Sequence, residues 1–598
     1  MTERPSASPR PSALIDFRSP APDAAPLHLA FGVPRERLAA FAPAEVAPLL
    51  ARVDALARAG AWCVGHLRYE AAAAFDAAFE VHANDGPPRA LAAFAVHDAP
   101  LAAPAAAAAW AAAAAGTAQA SWTSGPRRDA FDAAIAAIHR AIADGEVYQV
   151  NYTAPVGGAL AGASGALFAA LCRAQPNAYA AFIDDADGDA ILSVSPELFF
   201  DWRDGRLLAR PMKGTAARGA NAQEDAAQAE FLRASVKERA ENLMIVDLLR
   251  NDLSRVAEPH SVQVPRLFHT EAWPTVWQMS SDIVARTRAG LTLADVFAVL
   301  FPCGSITGAP KVQAMRLIKA LEPEPRGVYC GAIGVVQPGG AATFNVPIRT
   351  VVVSREAGVA RLRCGIGSGI TADARADGEW DEWRHKRAFV DRASQAFELL
   401  ETLRLEDGVY VDGEDHVQRM AEAAAHFGFA APAASAHAAL AALASTHERG
   451  CWRVRLLADR TGVARAEAFA FAPTPQPVRV RLAPRPLAGT DGEFVRFKTT
   501  HRAHYDAFAP ADAQVFDTLL WNERGELTEF TRGNLALHVD GAWRTPALRC
   551  GLLPGIARAR LLREGRVHEA VLRSEDLARA DGLAFFNSLR GWLDAALD

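Results

Sequence analysis

Two short segments carry pairs of carboxylates at a spacing that could bind a metal ion. Glu238 and Glu241 form one pair, Glu379 and Glu382 form the other, and the members of each pair are three positions apart. Residues at this spacing share one face of an α-helix, so each pair can aim its oxygens in one direction. If the two helices converge, the four carboxylates form an oxygen-rich site suited to a hard cation such as Mg²⁺. For either pair alone, a solvated helix face is the alternative.

The sequence around these pairs favours a site over a solvated face. An apolar run, 243–253, directly follows the first pair, and an exposed helix would not need it. Glycine-rich turns at 304–308 and 365–369 can bring backbone N–H groups close to an anion, and Arg349 can hold a carboxylate through two hydrogen bonds. The chain therefore predicts a cation site that also accepts an anionic substrate.

A second group of reactive residues lies closer to the C-terminus. It contains Lys498, Glu529 in a strand-like context, Arg419, and a turn at 555–558 that predicts the start of a helix. Such a set suits pyridoxal phosphate, which needs a Schiff-base lysine, a carboxylate at the pyridinium nitrogen, and phosphate held by arginine and a helix N-terminus. Lys498 is the only lysine after Lys386, so no other side chain there could form the Schiff base.

Length and composition limit the class of protein. The 598 residues allow two to four domains, and 51% hydrophobic with 22% charged residues excludes wholesale disorder. The net charge of -6 without a Lys/Arg run gives no footprint for nucleic acid or membrane, so small-molecule ligands are expected. The seven cysteines are scattered and form no CxxC pair, which predicts neither disulfides nor zinc and favours the cytoplasm.

Composition shifts along the chain predict its domain organisation. Residues 1–22 are expected to form a loose leader, and 23–395 an α+β domain with an alanine-rich linker at 101–120. A helical stretch is expected from 389 to 405, and Gly408 then opens a turn into new strands. The main boundary is therefore placed at 395/396, with a second domain over 396–598.

The segments at 237–253, 301–311, 326–331, 348–350 and 365–370 together resemble the chorismate-utilising enzymes, which include the anthranilate, aminodeoxychorismate, isochorismate and salicylate synthases. The resemblance covers about residues 60–395 and implies a β-sandwich-like α/β fold with chorismate as substrate. It implies Mg²⁺ bound by Glu241 and Glu382, with Glu238 and Glu379 in support. It also implies substrate contacts from Ser305, Thr307, Tyr329, Arg349, Gly367 and Gly369.

Two positions separate the members of this family. Isochorismate-type enzymes carry a water-activating lysine where this chain has Gln149, and Lys213 stands where anthranilate synthases have an alanine-like residue, as in aminodeoxychorismate synthase component I. Lys213 is the implied covalent nucleophile, and an apolar pocket would lower the pKa of its amine. Glu197 is the implied general acid. Gln278 and Cys303 depart from the family, which has histidine and glycine there; no role follows for Cys303.

The order of residues in 396–598 resembles the fold-type IV pyridoxal phosphate enzymes, which include D-amino-acid and branched-chain aminotransferases and aminodeoxychorismate lyase. The resemblance implies that Lys498 carries the cofactor and moves protons, and that Glu529 pairs with its pyridine nitrogen. It implies a phosphate site formed by Arg419, Ile556, Ala557 and Ser588. The segment is shorter than usual, which leaves open whether it is a complete lyase. A homodimer formed through this domain is the oligomeric state considered for the chain.

Together the two resemblances predict a bifunctional enzyme of 4-aminobenzoate synthesis, in which a synthase component I makes aminodeoxychorismate and a lyase removes pyruvate from it. No Gly-x-Cys-x-Gly elbow of a glutaminase occurs in the sequence, so a separate glutamine amidotransferase subunit is expected to supply ammonia. Three alternatives stay open: an anthranilate synthase in the first domain, and an amino-acid aminotransferase or a degenerate structural module in the second.

Overall fold

The computed structural model describes residues 11–20, 25–83, 88–123, 125–185, 187–218, 222–272, 276–356, 358–394, 396–490, 492–512 and 514–598. The chain divides into two units, Met1–Gln395 and Ala396–Asp598. None of the described helices combines the length and the apolar character that a bilayer span requires.

The first unit contains two large sheets with helices on their outer faces. Its strands are β1 (Ala13–Phe17), β2 (Leu27–Phe31), β3 (Glu36–Ala40), β4 (Trp62–Leu67), β5 (Ala92–His97), β6 (Ala118–Trp122), β7 (Gln149–Gly162), β8 (Tyr179–Asp184), β9 (Ala190–Ser195), β10 (Leu198–Arg203), β11 (Arg206–Arg210), β12 (Met212–Ala217), β13 (Gln263–Ala272), β14 (Val276–Arg286), β15 (Gly308–Ala309), β16 (Ala332–Val336), β17 (Ala342–Asn345), β18 (Thr350–Glu356) and β19 (Val359–Ile370). Its helices are α1 (Pro43–Arg58), α2 (Ala103–Ala114), α3 (Arg128–Ala143), α4 (Ser164–Ala174), α5 (Ala222–Ala234), α6 (Val236–Ser254), α7 (Leu293–Leu300), α8 (Lys311–Leu321) and α9 (Ala376–Ser394).

The two sheets pack face to face, as the α/β sandwich expectation requires. Within the described residues one sheet runs β15-β7-β19-β18-β9-β8-β1-β2 with β6 beside β7, and the other runs β12-β14-β11-β10-β17-β16-β4-β5-β3 with β13 beside β14. Ile15 and Phe17 of the first sheet pack with Ile333 and Val335 of the second in one apolar cluster between them. Helices cover the outer faces, so most strands are buried on both sides and read as continuous apolar runs.

Residues 13–17 are part of the sandwich, although 1–22 were expected to be a loose leader. They form β1, which pairs with β2 on one side and β8 on the other. Leu14 packs under the outer helices and Ile15 packs between the sheets, because successive strand residues point to opposite faces. The prediction was wrong here because flanking Pro, Ser and Arg obscured a five-residue strand; residues 1–10 and 21–22 lie outside the described residues.

The alanine-rich stretch 101–120 is structured as well. It contains α2 and most of β6, because alanine has the highest intrinsic helix propensity and Pro104 sits in the first turn, where its missing N–H costs little. The Trp110 ring stacks on Phe168 of α4 with centroids 6.1 Å apart, which holds the helix against the domain. The linker prediction was therefore wrong, because low apolar content was taken for lack of structure.

The second unit contains two smaller sheets. Its strands are β20 (Leu399–Glu406), β21 (Val409–Tyr410), β22 (Cys451–Ala458), β23 (Ala464–Ala470), β24 (Val478–Leu482), β25 (Asp517–Trp521), β26 (Leu527–Phe530), β27 (Gly533–Val539), β28 (Ala542–Pro546), β29 (His568–Ala570), β30 (Gly582–Asn587) and β31 (Gly591–Leu597). Its helices are α10 (Gly413–Phe427), α11 (Ala433–Ala444), α12 (Glu493–Arg496), α13 (Ala503–Asp506) and α14 (Ile556–Arg563). The described sheets run β21-β20-β22-β23 and β26-β25-β24-β31-β30-β27-β28-β29.

The helical stretch expected from 389 to 405 ends earlier. α9 stops at Ser394, and Leu399–Glu406 is β20, which pairs antiparallel with β22 over its whole length. Leu403 and Leu405 are fully buried, while Arg404 between them is partly exposed. This alternation is typical of a strand, and the sequence prediction missed it because Leu399 and Leu400 also fit a helical repeat.

Candidate active sites

The two carboxylate pairs lie at the starts of two helices. Ser235 caps α6 by accepting the N–H of Glu238 at 3.3 Å, so Glu238 and Glu241 occupy the first two turns. Glu379 and Glu382 hold the same place in α9. The N-terminal end of a helix carries a partial positive charge, which favours carboxylates at these positions. Both helices therefore present their acids where a helix tolerates them best.

All four carboxylates face one cavity of the first unit. The cavity is also lined by the predicted nucleophile, the predicted general acid and most of the predicted substrate contacts: Glu197, Lys213, Ser305, Tyr329, Arg349, Gly367 and Gly369. Thr307 is not among the lining residues; it is fully buried, and its hydroxyl donates to the Cys303 carbonyl at 3.0 Å. The structure thus brings together the predicted site of the first domain except for Thr307, which does not line the cavity.

The carboxylates crowd one another. Burial and the charges of Glu241 and Glu382 raise the pKa of Glu238 to about 7, and burial and Glu382 raise the pKa of Glu379. Burial acts to raise the pKa of Glu382, but Lys386, whose Nζ lies 2.6 Å from Glu382 Oε1, acts to lower it. The pKa of Glu382 is lowered overall. Like charges are held close together here, which is costly without a cation.

This crowding fits a Mg²⁺ ion by the chemistry of its donors. Hard cations prefer carboxylate oxygens, and a divalent ion would relieve the repulsion that raises the pKa of Glu238. Among the residues that the structure describes, no three His, Cys, Asp or Glu side chains are already arranged as a closed metal site. Binding would therefore require the facing glutamates to close around the ion.

Lys213 lies in charged surroundings. It is partly buried on β12, and its ammonium group lowers the pKa of Glu197, Glu238 and Glu382. A Cβ built on Gly369 would lie 2.5 Å from Lys213 Nζ, so the amine rests against the glycine backbone of β19. The predicted apolar pocket is not found, because carboxylates from three elements surround this lysine.

Glu197 has the environment of an acid that holds its proton near neutral pH. Its side chain is buried, and burial raises its pKa to about 7 against the opposing effects of Ser305, Lys213 and Lys386. Ser305 Oγ donates to Glu197 Oε1 at 2.7 Å, which occupies the hydroxyl that was predicted to bind substrate. A carboxyl group with a pKa near 7 can give up a proton at physiological pH.

Arg349 gives the cavity an anion-binding side. Its guanidinium donates to the neutral Gln175 and has no carboxylate partner among the described residues. Burial and the neighbouring charge of Arg392 lower its pKa to about 10. Its backbone is left-handed, with φ of 49°, a costly conformation for a residue with a side chain. An uncompensated cation at a strained position indicates a place for a substrate carboxylate.

The glycines of β19 allow close approach to the cavity wall. A Cβ on Gly365 would lie 2.3 Å from the Tyr329 ring, and one on Gly369 would lie 2.8 Å from Gln149 Nε2. Both polar atoms of the Gln149 amide are buried and have no hydrogen-bond partner. The cavity therefore contains an unsatisfied amide beside the Lys213 amine.

In the second unit, burial shifts the pKa values of Lys498 and Glu529 in opposite directions. Burial lowers the pKa of Lys498 to about 8, against the opposing charges of Glu401 and Glu529. Burial raises the pKa of Glu529 to about 7, and its Oε1 accepts hydrogen bonds from Tyr505 Oη at 2.6 Å and from the Leu553 N–H at 3.0 Å. An amine of lowered pKa forms a Schiff base more readily.

The predicted phosphate ligands converge in part. Ile556 and Ala557 begin α14, and Arg419 Nη1 donates to the Pro554 carbonyl at 3.0 Å, next to that helix start. A Cβ on Gly555 would lie 1.9 Å from Asn534 Oδ1, so the turn before α14 has room only for glycine. Ser588 is buried just after β30, and among the residues that the structure describes no side-chain hydrogen bond joins it to this group.

Glu401 holds Arg419 from the other side. Arg419 Nε and Nη2 donate to Glu401 at 2.8 and 2.6 Å, and His416 Nδ1 lies 2.7 Å from the same carboxylate. A guanidinium has five N–H groups, so Arg419 keeps two for a further anion. These residues fit pyridoxal phosphate: an amine, a carboxyl for the ring nitrogen, and an arginine beside a helix N-terminus.

Comparison with known proteins agrees with this geometry. Residues 35–392 match the family described as chorismate binding enzyme. The chain belongs to the chorismate binding enzymes. Residues 398–596 of this chorismate binding enzyme match the amino-transferase class IV family, so a fold-type IV domain follows the chorismate-binding domain.

Individual relatives match part of the chorismate binding enzyme. Aminodeoxychorismate synthase component 1 of Klebsiella aerogenes is 41% identical over 266 residues, 44% of this chain and 58% of that protein. Anthranilate synthase component 1 of Aquifex aeolicus (strain VF5) is 34% identical over 278 residues, 46% of this chain and 55% of that protein. The chain thus spans little more than half the length of these relatives. The crystal structure of anthranilate synthase component I from Streptococcus pneumoniae TIGR4 covers 65% of this chain and 94% of its own, with 21% identity and a TM-score of 0.50, and shows the same fold.

Sequence reasoning missed several groups in both sites of this chorismate binding enzyme. Lys386 lines the first cavity and donates to the Gly367 carbonyl at 2.9 Å; its position four residues after Glu382 could have indicated it. Gln278 Nε2 donates to the Gly214 carbonyl at 2.9 Å, so it supports the turn after Lys213. In the second site Glu401 and Tyr505 were missed, because neither belongs to a motif of obvious chemistry.

Proposed function

We propose that the first domain is an aminodeoxychorismate synthase component I and the second an aminodeoxychorismate lyase, which together convert chorismate and ammonia into 4-aminobenzoate and pyruvate. The observation that carries the first half is Lys213 Nζ against Gly369 in the same cavity as the Glu197–Ser305 pair. The 41% identity to aminodeoxychorismate synthase component 1 of Klebsiella aerogenes supports the choice within the family. The domain boundary at 395/396 and the individual residue roles are part of this proposal.

In the proposed first reaction, Arg349 binds a chorismate carboxylate. A neighbouring carboxylate takes the ammonium proton of Lys213, which then attacks C2 as the free amine. Glu197 donates a proton to the departing C4 hydroxyl, which leaves as water. Ammonia then adds at C4, the bond between Lys213 and C2 breaks with its electron pair returning to the lysine nitrogen, and the added nitrogen loses a proton to Glu197, which restores the general acid. The net change is the replacement of the C4 hydroxyl by an amino group.

Mg²⁺ would be held by Glu241 and Glu382, with Glu238 and Glu379 supporting them, and would neutralise carboxylate charge of the substrate. Lys386 and Lys237 already pair with Glu382 and Glu241 at 2.6 and 3.8 Å, so the site keeps positive charge near these acids. A separate glutamine amidotransferase subunit would supply the ammonia.

In the proposed second reaction, pyridoxal phosphate would supply an electron sink for elimination of pyruvate. Lys498 would hold the cofactor and carry the proton between substrate atoms. Glu529, fixed by Tyr505 and the Leu553 N–H, would pair with the ring nitrogen, and Arg419 and the start of α14 would hold the phosphate. A lyase is favoured over an aminotransferase because its substrate would be the product of the preceding domain.

Product analysis of the whole chain tests this proposal. Purified protein is given chorismate, an ammonium salt, Mg²⁺ and pyridoxal phosphate, and the products are separated by chromatography and mass spectrometry. Formation of 4-aminobenzoate with equal pyruvate is expected, and aminodeoxychorismate should accumulate when the lyase is blocked. Anthranilate as the main product would replace the synthase proposal, and faster transamination of D- or branched-chain amino acids would replace the lyase.

A further inference from the structure

Cys303 lies two residues before Ser305, whose side chain lines the first cavity. It is 2% exposed and precedes the short 3₁₀ turn Gly304–Ile306. Its Sγ is 3.2 Å from Ser305 Oγ, and Ser305 Oγ is 2.7 Å from Glu197 Oε1. The three side chains thus form one buried hydrogen-bonded chain that ends on the proposed general acid.

The direction of the protons in this chain follows from hydrogen-bonding capacity. Ser305 has a single hydroxyl hydrogen, which it donates in the hydrogen bond to the Glu197 carboxylate. Toward Cys303 the Ser305 oxygen can therefore only accept a hydrogen bond. Burial raises the pKa of the Cys303 thiol to about 12, so the thiol keeps its proton and can donate it to Ser305. Thr307, the nearest other hydroxyl on this loop, donates to the Cys303 and Gly304 carbonyls instead.

Cooperativity between the two hydrogen bonds lets Cys303 affect the ionisation of Glu197. A hydroxyl that donates to a carboxylate becomes a better acceptor, and a donor placed on it in turn strengthens the bond to the carboxylate. The chain is therefore strongest when Glu197 is ionised. When Glu197 is protonated, its oxygen is a weaker acceptor of the Ser305 hydroxyl, and the chain loses part of this strength.

We infer that Cys303 is a positioning residue that orients the Ser305 hydroxyl toward Glu197 and thereby favours the ionised form of the general acid. The inference rests on the proposed synthase function of the first domain. It assigns to the thiol no contact with substrate and no redox or covalent step.

Other groups also face Glu197. Lys213 of β12 and Lys386 of α9 are the nearby cations, and the Met212 N–H donates to Glu197 from the backbone. Lys311 is the cation that faces Cys303 itself. None of these changes when Cys303 alone is substituted, so a change in Glu197 behaviour would report the thiol.

The test compares Cys303→Ala and Cys303→Ser by the pH dependence of kcat/KM for chorismate with ammonia as nucleophile. Activity needs protonated Glu197, so it falls as the pH rises through the Glu197 pKa. Removing the donor should move this high-pH limb upward by about 0.1 to 0.7 pH unit, and the better donor in Cys303→Ser should move it downward. Cys63→Ala, which removes a fully buried thiol packed in the core of the second sheet, should leave the limb in place.

Opposite shifts in the two variants would support the inference, since a general loosening of the loop would move both the same way. The inference would be overturned if the high-pH limbs of both variants coincided with that of the wild type, or if both shifted in the same direction. If Cys303→Ala fails to fold, Cys303→Ser with an unshifted limb still rejects it. Wild-type protein that makes no aminodeoxychorismate from chorismate and ammonia rejects the proposed function itself, and the inference with it, so the two failures are told apart by the wild-type product.

Discussion

Replacing Arg349 by glutamine should raise the free energy of unfolding of the protein and weaken its binding of chorismate. The Arg349 pKa falls from 12.5 to about 10 in the folded protein, and each pKa unit corresponds to about 1.4 kcal/mol. Burying the charged guanidinium therefore costs up to about 3 kcal/mol at neutral pH. The lost hydrogen bond to Gln175 offsets about 1 kcal/mol of that gain. Arg349→Gln should thus gain about 1 to 2 kcal/mol.

The stability gain depends on pH through the protonation of Arg349. Because the folded-state pKa of Arg349 lies below its unfolded value, the native state binds this proton less well, and the penalty applies at every pH below about 10. It disappears only as the pH rises through the folded pKa toward 12.5. The gain in Arg349→Gln is therefore fully present in any neutral buffer.

The same substitution removes the cation that would hold a chorismate carboxylate. Loss of charge-assisted hydrogen bonds, about 1.5 to 3 kcal/mol, should raise KM for chorismate by about 10- to 150-fold with a smaller change in kcat. Thermal and denaturant unfolding would measure the stability, and steady-state kinetics with saturating ammonia would measure KM. Arg363→Gln is the control, since this exposed arginine pairs with Glu324 at the surface. A destabilised Arg349→Gln with unchanged KM would refute the reasoning and make Arg349 structural.

Further substitutions separate the two proposed sites. Lys213→Ala should remove the chorismate adduct seen by mass spectrometry and leave only slow direct attack by ammonia; full activity would exclude this nucleophile. Glu382→Gln should raise the Mg²⁺ concentration needed for synthesis while lyase turnover persists, whereas Asp381→Asn, half exposed on the same helix, should change neither; an unchanged Mg²⁺ dependence would remove Glu382 from the metal site. Lys498→Ala should abolish the visible absorbance of lysine-bound pyridoxal phosphate and let aminodeoxychorismate accumulate; release of 4-aminobenzoate at the wild-type rate would contradict the lyase proposal.

Local spacing and motif order carried most of the correct expectations. Glu238, Glu241, Glu379 and Glu382 face one cavity because a three-residue interval fixes a common side of a helix. The fold-type IV domain was recognisable because its reactive residues keep their order along the chain, even with β20 assigned to a helix.

The rest depended on contacts between distant segments. The carboxylates around Lys213 come from Glu197, α6 and α9, so no window of sequence around Lys213 could exclude an apolar pocket. Glu401 meets Arg419 only because β20 and α10 pack together, and nothing local marks that glutamate. Strand β1 was missed because five residues carry little periodic signal.

The position of β1 has a consequence for how the first domain forms during synthesis. β1 is the penultimate strand of its sheet, and its inner neighbour β8 is made about 160 residues later. Until then β1 can pair only with β2, and a two-stranded ribbon is marginally stable by itself. Until β8 is made, Ile15 and Phe17 of β1, which are buried between the sheets in the folded domain, therefore stay accessible to chaperones or to other chains. A tag or fusion placed immediately before Ser12 would act at this step, and would lower the yield of folded protein without touching either site.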